Sequence, residues 1–285
     1  MLGLGDVSRD DVRRDDSGRD PGTAPAPDPG PAPRPPPTFW SQFGLRACPR
    51  FDGLEVLEIG CGRGRRAVEV ATHGAAHVLG IDSLPSEIAA ACAERDTYHR
   101  ALADRVDFRA VGIDTLPSAA FDVILSEGAF EHVMDVDAVV GHVARTLAPG
   151  GRAYFAFGPL YHSPFGDHGW LRATLPGAPT LSWPWGHLLV PQPVLMRRLQ
   201  RQRGGPLYRE TRDWAYLDLN QRTVDEFERT FRASGLVVRQ LATNAAVSRK
   251  GRAAARAMDL VGRAWPALRK YLTVYMSVVL ERPAR

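Results

Sequence analysis

The sequence has almost no lysine: Lys250 and Lys270 are the only two among 36 basic residues, and arginine supplies the rest. This bias comes with much Ala, Gly, Pro and Asp, as a GC-rich coding sequence would produce, so it says little about nucleic acid. Cysteine is scarce too. Cys48, Cys61 and Cys92 are scattered, odd in number and without metal-ligand spacing, which points to reduced thiols in a cytosolic protein. No apolar run reaches the roughly 18 residues that would read as a membrane span. The N-terminus carries Asp6, Arg9, Asp10, Asp11, Arg13 and Arg14 instead of a basic start and an apolar stretch, so no secretory signal is read there and the cytoplasm is the expected location. A G-x-x-x-x-G-K-[ST] phosphate loop is absent, which removes the P-loop reading.

The 285 residues, 44% hydrophobic and 24% charged, suffice for one large domain with a sizeable core. The net charge of +4 is uneven, because residues 1–37 hold seven Asp and five Arg. That segment ends in "PGTAPAPDPGPAPRPPP" and has almost no large apolar side chain. It cannot bury enough surface to offset its ordering entropy, and disorder is expected. The folded domain is expected over 38–285.

From Leu54 to Phe157 strand-like and helix-like patterns alternate, which predicts a doubly wound α/β sheet. Strands are expected at 54–59, 76–81, 105–111, 121–126 and 151–157. Val136, Val139, Val140, Val143 and Leu147 fall at helical spacing before an "APGG" stop at 148–151. Residues 158–220, rich in Pro, Gly, Trp and His, form an irregular insertion with an Arg-rich helical piece near 194–203. "TVDE" at 223–226 reads as a capping box, and the helix it opens stops at Gly235. Strands at 236–242 and 271–281 would close the sheet, with an Arg/Ala-rich helix at about 250–264 between them.

The stretch "GLEVLEIGCGRGRRAVEVATHGAAHVLGIDSLP" (53–85) is the outline of a nucleotide-type cofactor site. Glycines there let the backbone approach a ligand, with amides aimed at it from the head of the next helix. A dinucleotide fingerprint needs glycine at position 65, which is arginine here; the spacing is E-x-G-x-G-x-G from Glu58 to Gly64.

"VLEIGCGRG" resembles the first motif of class I S-adenosylmethionine-dependent methyltransferases. The similarity continues through Asp82, "GIDTLP" (112–117), "FDVILSEGAFEHV" (121–133) and "LAPGGRAYFAF" (147–157). The resemblance implies a Rossmann-like, seven-stranded, mostly parallel sheet with a reversed last strand, and S-adenosylmethionine as cofactor. It implies that Glu58 and the loop of Gly60, Cys61, Gly62 and Gly64 face the methionine part of the cofactor. Asp82, followed by Ser83, would take the ribose hydroxyls; Ile113 and Asp114 would meet adenine; Ser126 and Glu127 would border the reacting methyl. Glu58 could instead cap the following helix, and Asp82 and Asp114 could be turn residues.

Transfer to a hydroxyl requires a group that takes its proton. The candidates are Glu127, Glu131 and His132 after the fourth strand, with His162 and His168 on the insertion. Asp167 and His187 join those histidines, among Tyr161, Phe165, Trp170, Trp183 and Trp185. Because His162, Asp167, His168 and His187 follow no recognised ligand spacing, no metal site is assigned. A lid whose histidines satisfy turns is the plain alternative. The fourth-strand exit reads "SEGA" rather than the Asn/Asp-Pro-Pro-Tyr pattern linked to amino-group methylation of bases, and no RNA-binding module accompanies the Arg-rich segments. The expected function is therefore methylation of a small molecule, at oxygen, on a sugar, lipid or secondary metabolite. The alternatives are a repurposed cofactor-binding protein and, behind it, an RNA methyltransferase.

Overall fold

The computed structural model describes residues 39–168, 183–189, 219–245 and 251–284. The expected tail at 1–37, the helical piece near 194–203, Trp170 and most of the insertion lie outside the described residues.

Seven strands form one sheet: β1 (Glu55–Ile59), β2 (His77–Ile81), β3 (Val106–Arg109), β4 (Phe121–Glu127), β5 (Leu147–Phe157), β6 (Val237–Thr243) and β7 (Met276–Glu281). Their order is β3-β2-β1-β4-β5-β7-β6. The first five pair in parallel, and β7 runs antiparallel between β5 and β6. The chain reverses direction across the sheet between β3 and β4, so the carboxyl ends of β1 and β4 border the crevice where open α/β sheets bind ligands.

Near-continuous apolar strands require cover on both faces. On one face Leu57, Ile124 and Phe155 pack with α3 (Val136–Thr146) and α4 (Val224–Ala233), through Val140, Val143, Phe227 and Phe231. On the other, Val56, Val78 and Leu125 pack with α1 (Arg65–Thr72) and α2 (Pro85–Tyr98), through Ala67, Val70, Ile88 and Ala91. Phe39 and Trp40, on a 3-10 turn at Phe39–Phe43, complete that second layer. The expected capping box is present: Thr223 Oγ1 accepts from the Glu226 N–H, and Glu226 accepts from the Thr223 N–H.

Two boundaries differ from expectation. The segment 271–281 is not one strand. Pro266 opens a short helix, α6 (Pro266–Leu272), after α5 (Arg252–Ala264), and β7 begins only at Met276. The Asn244 side chain accepts from the Val274 and Tyr275 N–H groups and so holds those residues out of the ladder. The "APGG" stop, in turn, is part of β5. That strand pairs with β4 from Leu147 and shifts register before Arg152, a bulge that absorbs the extra residues.

Candidate active site

β1 ends in the crevice and the chain turns sharply through Gly60, Gly62 and Gly64, all at positive φ, before α1 starts at Arg65. Two of these glycines are also required by contact. A Cβ on Gly60 would sit 2.5 Å from the Ala129 side chain, and one on Gly64 would sit 2.2 Å from the Phe108 ring. The first amides of α1 have no intrahelical partner and carry the positive end of the helix dipole. Asp82, half-buried at the end of β2, ties this loop down: it accepts from the Gly62 N–H at 3.0 Å and the Leu84 N–H at 2.9 Å. Each of its oxygens retains a further lone pair. Ser83 beside it is exposed.

Glu58 lies two residues before Gly60, with the side chain 4% exposed and Oε2 without a hydrogen-bond partner. Burial pushes its pKa up to about 8, against the opposing pull of Arg66. Cys61 is buried, and its thiol is pushed far up by burial and by Glu58. A cleft of about 810 Å³ opens over this turn, lined by Glu58, the loop at 60–64, Arg65, Arg66, Glu69 and Glu127, and it continues to Glu94, Arg95 and His99. Asp82, Ile113 and Asp114 lie outside that lining, at the neighbouring strand ends. Ile113 is buried in a 3-10 turn, Ile113–Thr115, whose carbonyls at Ile113 and Asp114 accept from Arg145. Asp114 is exposed.

The catalytic candidates separate into distinct environments. Ser126 is buried and its hydroxyl donates to the Ile59 carbonyl at 3.0 Å, so it fastens β4 to β1. Glu127 is paired with Arg66 and, at 3.6 Å, with Arg65. His162 bonds the Gln221 carbonyl at 3.1 Å and faces Tyr271, and burial lowers its pKa. His187 is 2% exposed, bonds the Tyr161 carbonyl at 2.6 Å, and its pKa is lowered for the same reason. His168 turns the other way: it bonds the Pro159 carbonyl at 3.0 Å, and its ring lies 5.3 Å from that of His132. Glu131, beside His132, is 3% exposed and receives the Gly158 N–H on Oε1; burial raises its pKa. The four-residue set His162, Asp167, His168 and His187 is thus split, and His168 joins Glu131 and His132 instead.

One participant was not singled out from the sequence. Arg66 is 6% exposed, pairs with Glu69 and Glu127, and lies 4.7 Å from the Phe39 ring centroid and 5.8 Å from that of Trp40. The available signal was the pair Arg65–Arg66 in the first turn of α1, where the dipole favours acids. Cations there need a local carboxylate, and Glu127 is one.

Residues 57–153 match the family model described as a methyltransferase domain. The ubiquinone biosynthesis O-methyltransferase of Bradyrhizobium sp. (strain ORS 278) is 39% identical over 100 residues, 35% of this chain and 38% of that protein. That of Agrobacterium fabrum (strain C58 / ATCC 33970) is 40% identical over 107 residues, 37% of this chain and 41% of that protein. The match thus spans about two fifths of the length of these curated relatives. Among solved structures, an S-adenosylmethionine-dependent methyltransferase from Mesorhizobium loti superposes with a TM-score of 0.53 at 21% identity, covering 86% of this chain and 95% of that one. The [4+2]-cyclase SpnF superposes at 0.50 and 17%, covering 82% and 76%. These matches place a methyltransferase domain at residues 57–153, and the sheet order is that of a fold shared with S-adenosylmethionine-dependent methyltransferases.

The described residues fit that cofactor. The turn at 60–64 is a backbone cradle whose space a Cβ on Gly60 or Gly64 would clash in, and the orphaned Glu58 oxygen belongs to a residue lining the cleft. No helix among the described residues is long and apolar enough to cross a membrane.

Proposed function

We propose that this chain transfers a methyl group from S-adenosylmethionine to an oxygen atom of a small-molecule acceptor, of the sugar, lipid or secondary-metabolite kind. The observation that carries the reading is Glu58, a buried carboxyl group on the cleft with one oxygen lacking a partner. A buried polar atom without a partner costs about 1–3 kcal/mol, and an ammonium group in the cleft would meet that need. When bound, the cofactor supplies an electrophilic methyl on a sulfonium with a neutral leaving group.

What remains for the protein is chiefly alignment and proton removal. Glu58 would accept from the ammonium group of a bound cofactor, the amides at the head of α1 would receive its carboxylate, and Asp82 would accept from the ribose hydroxyls. Asp114 and Ile113 flank the adenine position. Ser126 holds the ends of β1 and β4 together through the Ile59 carbonyl. Glu127, fixed by Arg66, would border the reacting methyl. The acceptor hydroxyl would lose its proton near the cluster of Glu131, His132 and His168, which follow the carboxyl ends of β4 and β5. Reaction at oxygen is supported by the relatives named as O-methyltransferases and by the "SEGA" exit of β4.

The test is calorimetric titration with S-adenosylmethionine, S-adenosylhomocysteine and NAD, with Asp82→Ala alongside. Binding of the first two, weakened in the variant, supports the reading; binding of NAD alone overturns it. A second reading, a cofactor-binding protein turned to other chemistry, is favoured by the likeness in fold to a [4+2]-cyclase. Cofactor binding without label transfer to any oxygen-bearing extract component would select it.

A further inference from the structure

Glu131 is used by no step of cofactor binding, yet it is among the most deeply buried charged side chains described. One oxygen receives the Gly158 N–H; the other, Oε2, is buried with no hydrogen-bond partner. The backbone around it is fixed. Asn220 donates from its side chain to the carbonyls of Phe130 and Val133, at 2.7 and 2.8 Å, and from its N–H to that of Glu131 at 3.0 Å. Into this turn project two imidazoles, His132 from the turn itself and His168 from the segment after β5. One ligand atom from each of Glu131, His132 and His168 can be chosen so that all three lie within 4.8 Å of one another.

We propose that Glu131, His132 and His168 bind a divalent first-row cation such as zinc, manganese or cobalt. Two imidazoles and one carboxylate suit such ions, and three protein ligands leave coordination positions open. Donor atoms around an ion at about 2.1 Å stand roughly 3–4 Å apart, so donors as far apart as 4.8 Å would close by roughly 1–2 Å. The surrounding bonds are those expected behind metal ligands. His168 bonds the Pro159 carbonyl through Nε2, which makes Nε2 the N–H and gives Nδ1 the lone pair. The Gly158 amide orients Glu131 through Oε1 and leaves Oε2 for the ion. His168 also has φ of 52°, unfavourable for a residue with a Cβ. The third ligand comes from beyond residues 57–153, the part that matches the methyltransferase family model. A hydroxyl coordinated at an open position loses its proton more readily; that use rests on the methyl-transfer reading, whereas binding of the ion does not.

The experiment is titration of the full chain with Co²⁺, without cofactor or acceptor, following visible absorption and calorimetry. One equivalent should bind with the d–d bands of a site of low coordination number. Glu131→Gln keeps an acceptor for the Gly158 N–H, and His168→Asn tolerates positive φ; each should weaken binding about 10–100-fold while far-UV circular dichroism and melting stay near those of the parent. His77→Gln is the control, because His77 lies 3.5 Å from Glu55 and 3.4 Å from Asp107 at the surface. No stoichiometric binding by the parent overturns the proposal. So does binding that is lost with His77 and kept in the Glu131 and His168 variants.

Discussion

Glu58 makes cofactor binding a proton-linked event of calculable size. Burial pushes the pKa of its carboxyl group up to about 8, so about nine tenths of it is protonated at pH 7. An ammonium partner needs the ionised form. Binding at pH 7 should therefore release about 0.9 proton from Glu58, offset by roughly 0.1 taken up by a ligand amine that titrates near 8. The observed affinity should rise about tenfold from pH 6 to pH 7, or ~1.4 kcal/mol per pH unit, and flatten as pH passes 8, where the ligand amine begins to lose its charge. The assay is calorimetry of S-adenosylhomocysteine binding in buffers of different ionisation enthalpy, with affinities at half-unit pH steps. Glu58→Gln should abolish both the proton release and the slope. Burial lowers the pKa of His162 and His187 from the ordinary imidazole value, which moves their titration toward the acid side. No net proton exchange at pH 7 together with a flat affinity between pH 6 and 7 would refute the reasoning, because Glu58 would then be ionised already or never meet the ammonium.

The same raised pKa sets the sign of a pH dependence of stability. The folded state holds the proton more tightly than the unfolded one, so stability falls as pH rises from about 4.5 to about 8 and levels beyond. Glu58→Gln should remove that decline in a series of denaturant midpoints. Asp82→Ala should weaken S-adenosylhomocysteine binding by roughly 1–3 kcal/mol, read by the same calorimetry. Arg66→Met should lower the melting temperature, by the equivalent of about 2 kcal/mol, because it takes the close cation from Glu69 and Glu127, leaving them the Trp40 N–H at 3.4 Å and Arg65 at 3.6 Å, and removes the charge beside the Phe39 ring. Deleting residues 1–37 should leave melting and cofactor affinity near those of the full chain; a large fall in either would show that the tail is part of the fold.

What could be read in the sequence follows from the range of the interactions involved. The five parallel strands, the glycine turn and Asp82 are legible because each is written locally: apolar runs, a fixed glycine spacing, an acid at a strand end. The capping box at Thr223 is local as well. The short helix α6 escaped because Tyr271 and Leu272 continue the apolar pattern of β7, and what separates them is the side chain of Asn244, about thirty residues away in sequence. Arg66 escaped for the same reason, its partners being Phe39 and Glu127. The histidines show the limit most clearly. Composition placed His162, His168 and His187 together because they share one insertion, yet His162 and His187 bond backbone carbonyls at Gln221 and Tyr161, while His168 meets His132 across 36 residues of chain. Nothing in the spacing of the insertion could announce that meeting. It arises because β5 delivers the chain beside the exit of β4, so the side chains that complete the site are chosen by strand adjacency rather than by sequence proximity.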